Sequence, residues 1–319
     1  MKKTALSLAI AAVLPAFANA EKVEIEVPEF YGKVNVSIQN TQEEGKGSIS
    51  EVVSNASRLG VKGNIELKHG LQAVYQAEYE TQVDDGDKDG QTFSQRNIFG
   101  GIKGDFGQVI VGNFDTPLKK AQKKVDLFND LEGDIKNAIT NNDNRVQNIV
   151  QYNTPKVAGF VATVAHIASE KETVNDGTSS SLTFSNDDLY AAIAYDTDVE
   201  LNTDTGKPAT DVLRLVAQYS LGDITLGALW EQENRAGDAK DNEGWVYSAA
   251  YKATSDITLK AQYGQSDIVK DNAETYSLGA DYKLAKNAKV FAFVTDYEDK
   301  DSGVNSSNEY YGIGTELKF

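Results

Sequence analysis

Tyr276-Ser277-Leu278-Gly279-Ala280-Asp281-Tyr282-Lys283-Leu284 alternates without a break. Tyr276, Leu278, Ala280, Tyr282 and Leu284 fall on one face of an extended chain, and Ser277, Gly279, Asp281 and Lys283 on the other. A period of two with one apolar and one polar face describes a strand wet on one side only. The apolar sets Leu71/Ala73/Tyr75/Ala77/Tyr79, Ile224/Leu226/Ala228/Trp230, Trp245/Tyr247/Ala249/Tyr251 and Ile257/Leu259/Ala261/Tyr263 repeat the pattern. Ala and Gly recur among the apolar positions, and aromatic residues gather toward strand ends.

Working outward, strands are expected near 30–40, 57–68, 71–81, 93–103, 106–113, 145–153, 158–170, 180–186, 188–197, 211–220, 223–233, 243–253, 256–267, 273–284, 287–297 and 309–319, sixteen in all. Short turns such as His69-Gly70, Gly104-Asp105, Asn186-Asp187, Leu221-Gly222 and Ala285-Lys286 interleave with long polar stretches at 41–56, 82–92, 114–144, 171–179, 198–210, 234–242, 268–272 and 298–308. Short turns at one end and long loops at the other predict an up-and-down antiparallel transmembrane β-barrel. A secreted β-sandwich also alternates, but it rarely needs sixteen successive hairpins with this rhythm. No fixed-period repeat favours a solenoid. The last strand alternates Tyr311, Ile313, Thr315, Leu317 and Phe319 outward and stops on an aromatic carboxyl terminus.

Composition agrees. The 319 residues are 40% hydrophobic and 25% charged, with 26 Gly, no Cys and two His, and a mean hydropathy of -0.43. Beyond the N-terminus no apolar run approaches the ~18 to 20 residues of a spanning helix, which excludes a helical membrane protein. MKKTALSLAIAAVLPAFANA (1–20) has a basic start (Lys2, Lys3), an apolar stretch and a small-residue cleavage pattern at Ala18-Asn19-Ala20, the form of a secretory signal peptide. Residues 21–319 then form one barrel domain. The whole chain carries a formal charge of -17, and removing residues 1–20, which hold two Lys and no acid, takes it to -19. Nucleic acid is a poor partner for so acidic a chain.

Several stretches resemble one family. FYGKVNVSI (30–38), SRLGVKG (57–63), RNIFGGIKGDFGQVIVGNFDTP (96–117), NRVQNIVQYNTP (144–155) and YYGIGTELKF (310–319) resemble, in order, strands and loop entries of Gram-negative general porins. The resemblance implies a sixteen-stranded all-β barrel in the outer membrane of a Gram-negative bacterium and an inward-folded third loop. It also implies a homotrimer, contact with outer-membrane lipid and lipopolysaccharide, and passive diffusion of small hydrophilic solutes. An assembly machinery would read the final strand, with Tyr311 and Phe319 as its signal. No cofactor or catalytic residue is implied.

Such a protein works at its constriction. Leu59 and Val61 are expected to face lipid, which turns Arg58 and Lys62 inward; Val146, Val150 and Tyr152 are expected to face out, which turns Arg145 inward. RNIFGGI does not alternate cleanly, so Arg96 is placed inward by the resemblance alone. The resemblance also maps the acidic tip of the constriction loop onto Asp126, Asp130 and Asp134. Carboxylates across a narrow channel from guanidinium groups make a transverse field; one pair at ~8 Å with an effective dielectric of ~20 interacts by roughly 2 kcal/mol. Asn113 departs from the family's usual Arg, and Lys119, Lys120, Lys123 and Lys124 crowd the start of the loop. In the lumen they would oppose the cation preference that the net charge predicts; against the wall they are a solvated face.

Other motifs lead less far. Asp85-Gly86-Asp87-Lys88-Asp89-Gly90 imitates the start of a calcium loop, but Arg96 occupies the twelfth position, where a bidentate Glu is needed. His69 and His166 have no nucleophile or partner spacing, and no GxSxG, HExxH or P-loop occurs, so an enzyme is not expected. The alternatives are a substrate-selective channel and a surface adhesin or receptor acting through the loops.

Overall fold

The computed structural model describes residues 27–87, 90–123, 125–172, 174–199, 210–235, 237, 240–270, 272–299 and 306–319. The expected signal peptide lies outside them, as do Lys88, Asp89 and Lys124. Among the described residues the strands are β1 (Glu29–Glu43), β2 (Ser48–Ser54), β3 (Arg58–Glu66), β4 (Gln72–Thr81), β5 (Phe93–Gly104), β6 (Gly107–Asp115), β7 (Arg145–Asn153), β8 (Phe160–Ile167), β9 (Gly177–Ser185), β10 (Leu189–Thr197), β11 (Thr210–Leu221), β12 (Ile224–Arg235), β13 (Asn242–Lys252), β14 (Ile257–Ser266), β15 (Ala273–Ala285), β16 (Ala288–Asp299) and β17 (Ser306–Lys318), with one short α-helix, α1 (Pro117–Ala121).

β2 pairs antiparallel with β1, from β3 onward each strand pairs antiparallel with the next, and β1 closes the ring on β17 from Lys33 opposite Lys318 to Glu43 opposite Asn308. The barrel has sixteen strands because β2 and β3 are one traverse, both paired with β1 and broken at Asn55–Ser57. There Ala56 takes φ 50°, and the Ser57 hydroxyl caps Asn35 by accepting from its N–H and donating to its carbonyl, a bulge that keeps the ladder satisfied. The expected loop at 41–56 is thus a hairpin whose turn is only 44–47. It carries no apolar alternation because side-chain bonds such as Thr41 to Glu51 (2.6 Å) replace an apolar face.

The barrel is inside-out. Val109, Val111, Val164, Leu182, Ile193, Leu226, Leu278 and Ile313 point outward and are exposed, while Arg214, Glu231, Glu233, Gln151, Ser277 and Thr295 are buried inside. Apolar outside and polar inside is the pattern of a wall facing lipid and enclosing water. Among the described residues no helix is long and apolar enough to cross a membrane.

The seam is finished by the last residue. Phe319 exchanges backbone hydrogen bonds with Gly32 (2.8 and 3.1 Å), and its ring fills the space a side chain on Gly32 would need. Deleting Phe319 removes both bonds and the ring. The amount of heat-modifiable barrel in outer-membrane fractions should fall; wild-type amounts would show that closure does not need the terminal aromatic.

Candidate functional site

The site is built by the segment between β6 and β7. Thr116 caps α1 by accepting from Lys119 N–H, and Pro117 opens the helix, where its missing N–H costs nothing. Leu118, Ala121 and Val125 then fall on one side and Lys119, Lys120 and Lys123 on the other. The apolar side lies on the inner wall: Leu118, Ala121, Val125, Ile135, Ala138 and Ile139 pack with Tyr190, Ala192, Ala194, Val212, Val216, Leu229 and Val246. Phe128 inserts beside Phe291 and Phe293. Burying Leu118, Val125, Phe128, Ile135 and Ile139 at roughly 2 kcal/mol each gives an upper bound of about 10 kcal/mol holding the loop inside.

Polar groups fix its position. Gln262 accepts from Leu127 N–H (2.8 Å) and donates to the Gly133 carbonyl (2.9 Å), Tyr190 donates to the Ala121 carbonyl (2.8 Å), and Ser266 to that of Ile139 (2.6 Å). The loop's end is held by Arg214, which is fully buried. Its guanidinium reaches Glu231 at 2.5 Å, Asp143 at 2.8 Å and the Leu118 carbonyl at 3.3 Å. Glu231 also accepts from Thr140 and Asn142. Sequence reasoning gave Arg214 no role, because its partners are 17 and 71 residues away.

With the loop against β9–β16, a cavity of about 1110 Å³ remains along β1 and β3–β7. Arg58, Lys62, Arg96, Arg145, Asp130 and Asp134 all line it, as do Lys33, Glu78, Glu80, Asp115, Lys119, Lys120 and Lys123. Asp130 is held by Lys33 at 2.6 Å and Arg58 at 3.8 Å. Arg96 clasps Glu78 (2.9 Å) and Glu80 (2.6 Å). Arg145 meets Asp115 at 2.9 Å, with Lys119 3.2 Å from the same oxygen. Lys62 pairs with Glu29 at 3.2 Å. Lys120 and Lys123 are exposed in the cavity, with their ammonium groups over the rings of Phe114 and Tyr190.

Two bulges explain where alternation fails. Ala77 pairs with Ile98 but Tyr79 pairs with Gln95, so Arg96 and Asn97 together oppose Glu78; this is why RNIFGGI does not alternate. A second bulge sets Gln147 and Asn148 against Asn113, with Asn148 at φ 57°. It overturns the expected outward position of Val146, which is buried with Phe114 and Ile149, while Val150 and Tyr152 do face out. Arg145 therefore reaches the cavity from a strand whose phase has shifted.

Asp126 is where the expected constriction differs most. It does not line the cavity. It is buried, accepting from Phe128 and Ile135 N–H, because the loop folds its own backbone donors around it. Asp134 reaches the cavity edge but chiefly serves the loop, accepting from Asp130 N–H, Lys136 N–H and Asn129. Burial and the Asp134 charge push the Asp126 carboxyl well above the usual range. For Asp130 burial pushes up, but Lys33, Arg58 and Arg96 override it and hold the carboxyl below that range.

A β-barrel with a polar, charged interior, narrowed by an inward loop bearing facing charges, is a channel of the outer-membrane type. The sequence profile of the Gram-negative porin family matches residues 5–302, and the chain belongs to that family: it is an outer-membrane porin. The outer membrane porin protein 32 of Delftia acidovorans is 25% identical over 98% of this chain and 95% of its own. A monosaccharide porin of Halomonas is 25% identical over 88% of this chain and 76% of its own. Among solved structures, an anion-selective porin from Comamonas acidovorans superposes with a TM-score of 0.78 at 21% identity (92% of this chain, 99% of that one). Salmonella typhi OmpF does so with 0.73 at 17% (92% and 97%).

Arg214→Met should cost about 3 to 5 kcal/mol, since Glu231 and Asp143 lose their buried countercharge, and should lower the unfolding temperature of the barrel in detergent. The two loop acids should respond oppositely to pH. Asp130's depressed value means its stabilisation is present above the usual carboxylate range and is lost as pH falls through the depressed one. Asp126's raised value means its contribution is full in acid and fades as pH rises through the raised one. Thermal unfolding from pH 3 to 8 should therefore show Asp126→Asn losing the alkaline decline and Asp130→Asn the acid one.

Proposed function

We propose that the protein is a passive diffusion channel for small hydrophilic solutes and ions, with the slot between the third loop and β1–β7 as its constriction. The observation that carries this is the lining: guanidinium, ammonium and carboxylate groups face a cavity of about 1110 Å³, while the loop's apolar side is spent on the wall. An apolar solute would displace water there without replacing its hydrogen bonds, whereas sugars and small ions would not. The name of the Halomonas relative, a monosaccharide porin, supports sugars among the solutes.

The same reading takes residues 1–20 as an export signal, Tyr311 and Phe319 as the end read during insertion, and a homotrimer in contact with lipid and lipopolysaccharide as the assembled form. One solved relative, OmpT of Vibrio cholerae, is described in a trimer form.

Ion preference is set locally. A preference for cations follows from the net charge, and an acidic mouth with Asp84, Asp85 and Asp87 favours it. At the slot itself, with Asp85 and Asp87 counted in that mouth, ten basic side chains face seven acidic ones. Asp130, Glu78, Glu80, Asp115 and Asp134 each have a cation within 3.3 Å. Lys120 and Lys123 add two exposed positive charges on the loop. We therefore favour a slight preference for anions. The anion selectivity in the description of the similar Comamonas porin supports it.

Planar-bilayer recordings across a KCl gradient test this. The zero-current potential should indicate anions, and a Lys120→Gln, Lys123→Gln double variant should move it toward cations. Asp130→Asn should move it toward anions and Asp126→Asn should leave it in place. All shifts should shrink with salt as the Debye length falls from ~10 Å at 0.1 M to ~3 Å at 1 M. A cation preference unaffected by the lysine variant would sink the proposal.

A further inference from the structure

The wall beneath the third loop offers sockets instead of side chains. A Cβ on Gly264 would lie 2.5 Å from Ile139 Cδ1 and 2.7 Å from its Cγ1; one on Gly279 would lie 2.9 Å from Phe128 Cε1; one on Gly227 would lie 3.2 Å from Val125 Cγ2 and 2.5 Å from Ser248 Oγ. Gly133 answers from the loop side, seated against the Ser277 hydroxyl of the wall. None of the three wall glycines has a left-handed backbone, so each position is closed to a side chain by packing and not by conformation.

The neighbours cannot give way cheaply. Ile139 and Phe128 are 1% and 0% exposed, and side chains packed to interior density have no empty rotamer to move into. The loop is also tied at both ends: Thr116 N–H bonds the Asn144 carbonyl at 3.1 Å, and Arg214 joins the Leu118 carbonyl to Asp143. A segment pinned at its ends and pushed from the wall can move only toward the open slot.

We propose that Gly227, Gly264 and Gly279, none of which lines the channel, set its solute size limit by fixing how far the third loop stands off the wall. The channel's width is then governed by side-chain volume on the far side of the loop, independently of the charges at the slot. The inference rests on the reading of the protein as a diffusion channel.

The test uses full-length protein, with folded barrels scored by heat-modifiability on gels. Gly264→Ala, Gly264→Val, Gly279→Ala and Gly279→Val are compared with wild type by bilayer conductance and by liposome swelling in arabinose, glucose and raffinose. Conductance should fall stepwise from Gly to Ala to Val, and raffinose uptake should be lost before arabinose uptake. The zero-current potential should stay in place, because no charge has changed. Gly100→Ala, where a Cβ would meet nothing within 4 Å, should behave as wild type. Gly264→Ala combined with Ile139→Ala, which removes both the opposing Cδ1 and Cγ1, should recover conductance, and this pair decides the matter if the valine variants fail to fold. Folded variants that conduct and sieve like wild type, or conduct more, overturn the inference. Wild type that forms no conducting pore would instead overturn the channel reading.

Discussion

Hydrogen bonding in a medium without water is the constraint behind everything else. A backbone group left unpaired in hydrocarbon costs several kcal/mol, so a spanning sheet must have no edge. The β1–β17 pairing supplies the missing edge. Once the ring is closed, the two faces of every strand meet opposite solvents, and the residues sort accordingly: Val111, Ile193 and Leu278 outward, Gln151, Glu231 and Thr295 inward. Aromatic side chains complete places the ladder leaves thin, as Phe319 does over Gly32.

Closure creates a second problem, since sixteen strands enclose more space than their own side chains can fill. The third loop solves it by acting as a core. Its apolar residues meet the few apolar residues of the wall, and its polar backbone is absorbed by Gln262, Ser266 and Tyr190. Arg214 is expensive to bury and carries weight only because Glu231 and Asp143 are buried with it. Half of the barrel is thereby filled and the other half left wet.

The wet half owes its electrostatics to irregularity. Bulges at Arg96/Asn97 and Gln147/Asn148 change strand phase at the height of the loop, and this lets consecutive residues serve the lumen where strict alternation would turn every second one to lipid. Its acids are largely neutralised by neighbours, so the overall charge of the chain is a poor guide to the field a solute meets. Lys120 and Lys123 stay exposed in the cavity, over the rings of Phe114 and Tyr190.

The sequence by itself determined the number of strands, most of the long and short connections and, away from the bulges, the side of each strand that faces lipid. These follow from a local period of two imposed by a barrel wall between apolar and aqueous surroundings. Arg58, Lys62 and Asp130 could be placed on that basis and by resemblance, and they do line the cavity. Only the tertiary structure decided that Asp126 is sealed inside the loop, that Val146 turns inward and that Arg214 anchors the third loop. Each of these depends on contacts between segments distant in the chain or on a one-residue shift of phase. Neither leaves a mark on the composition or the period of the residues involved: a carboxylate at the loop tip looks the same in sequence whether it faces water or the loop's own N–H groups. The wall glycines show this most sharply, for their need to be glycine lies in a loop more than eighty residues away.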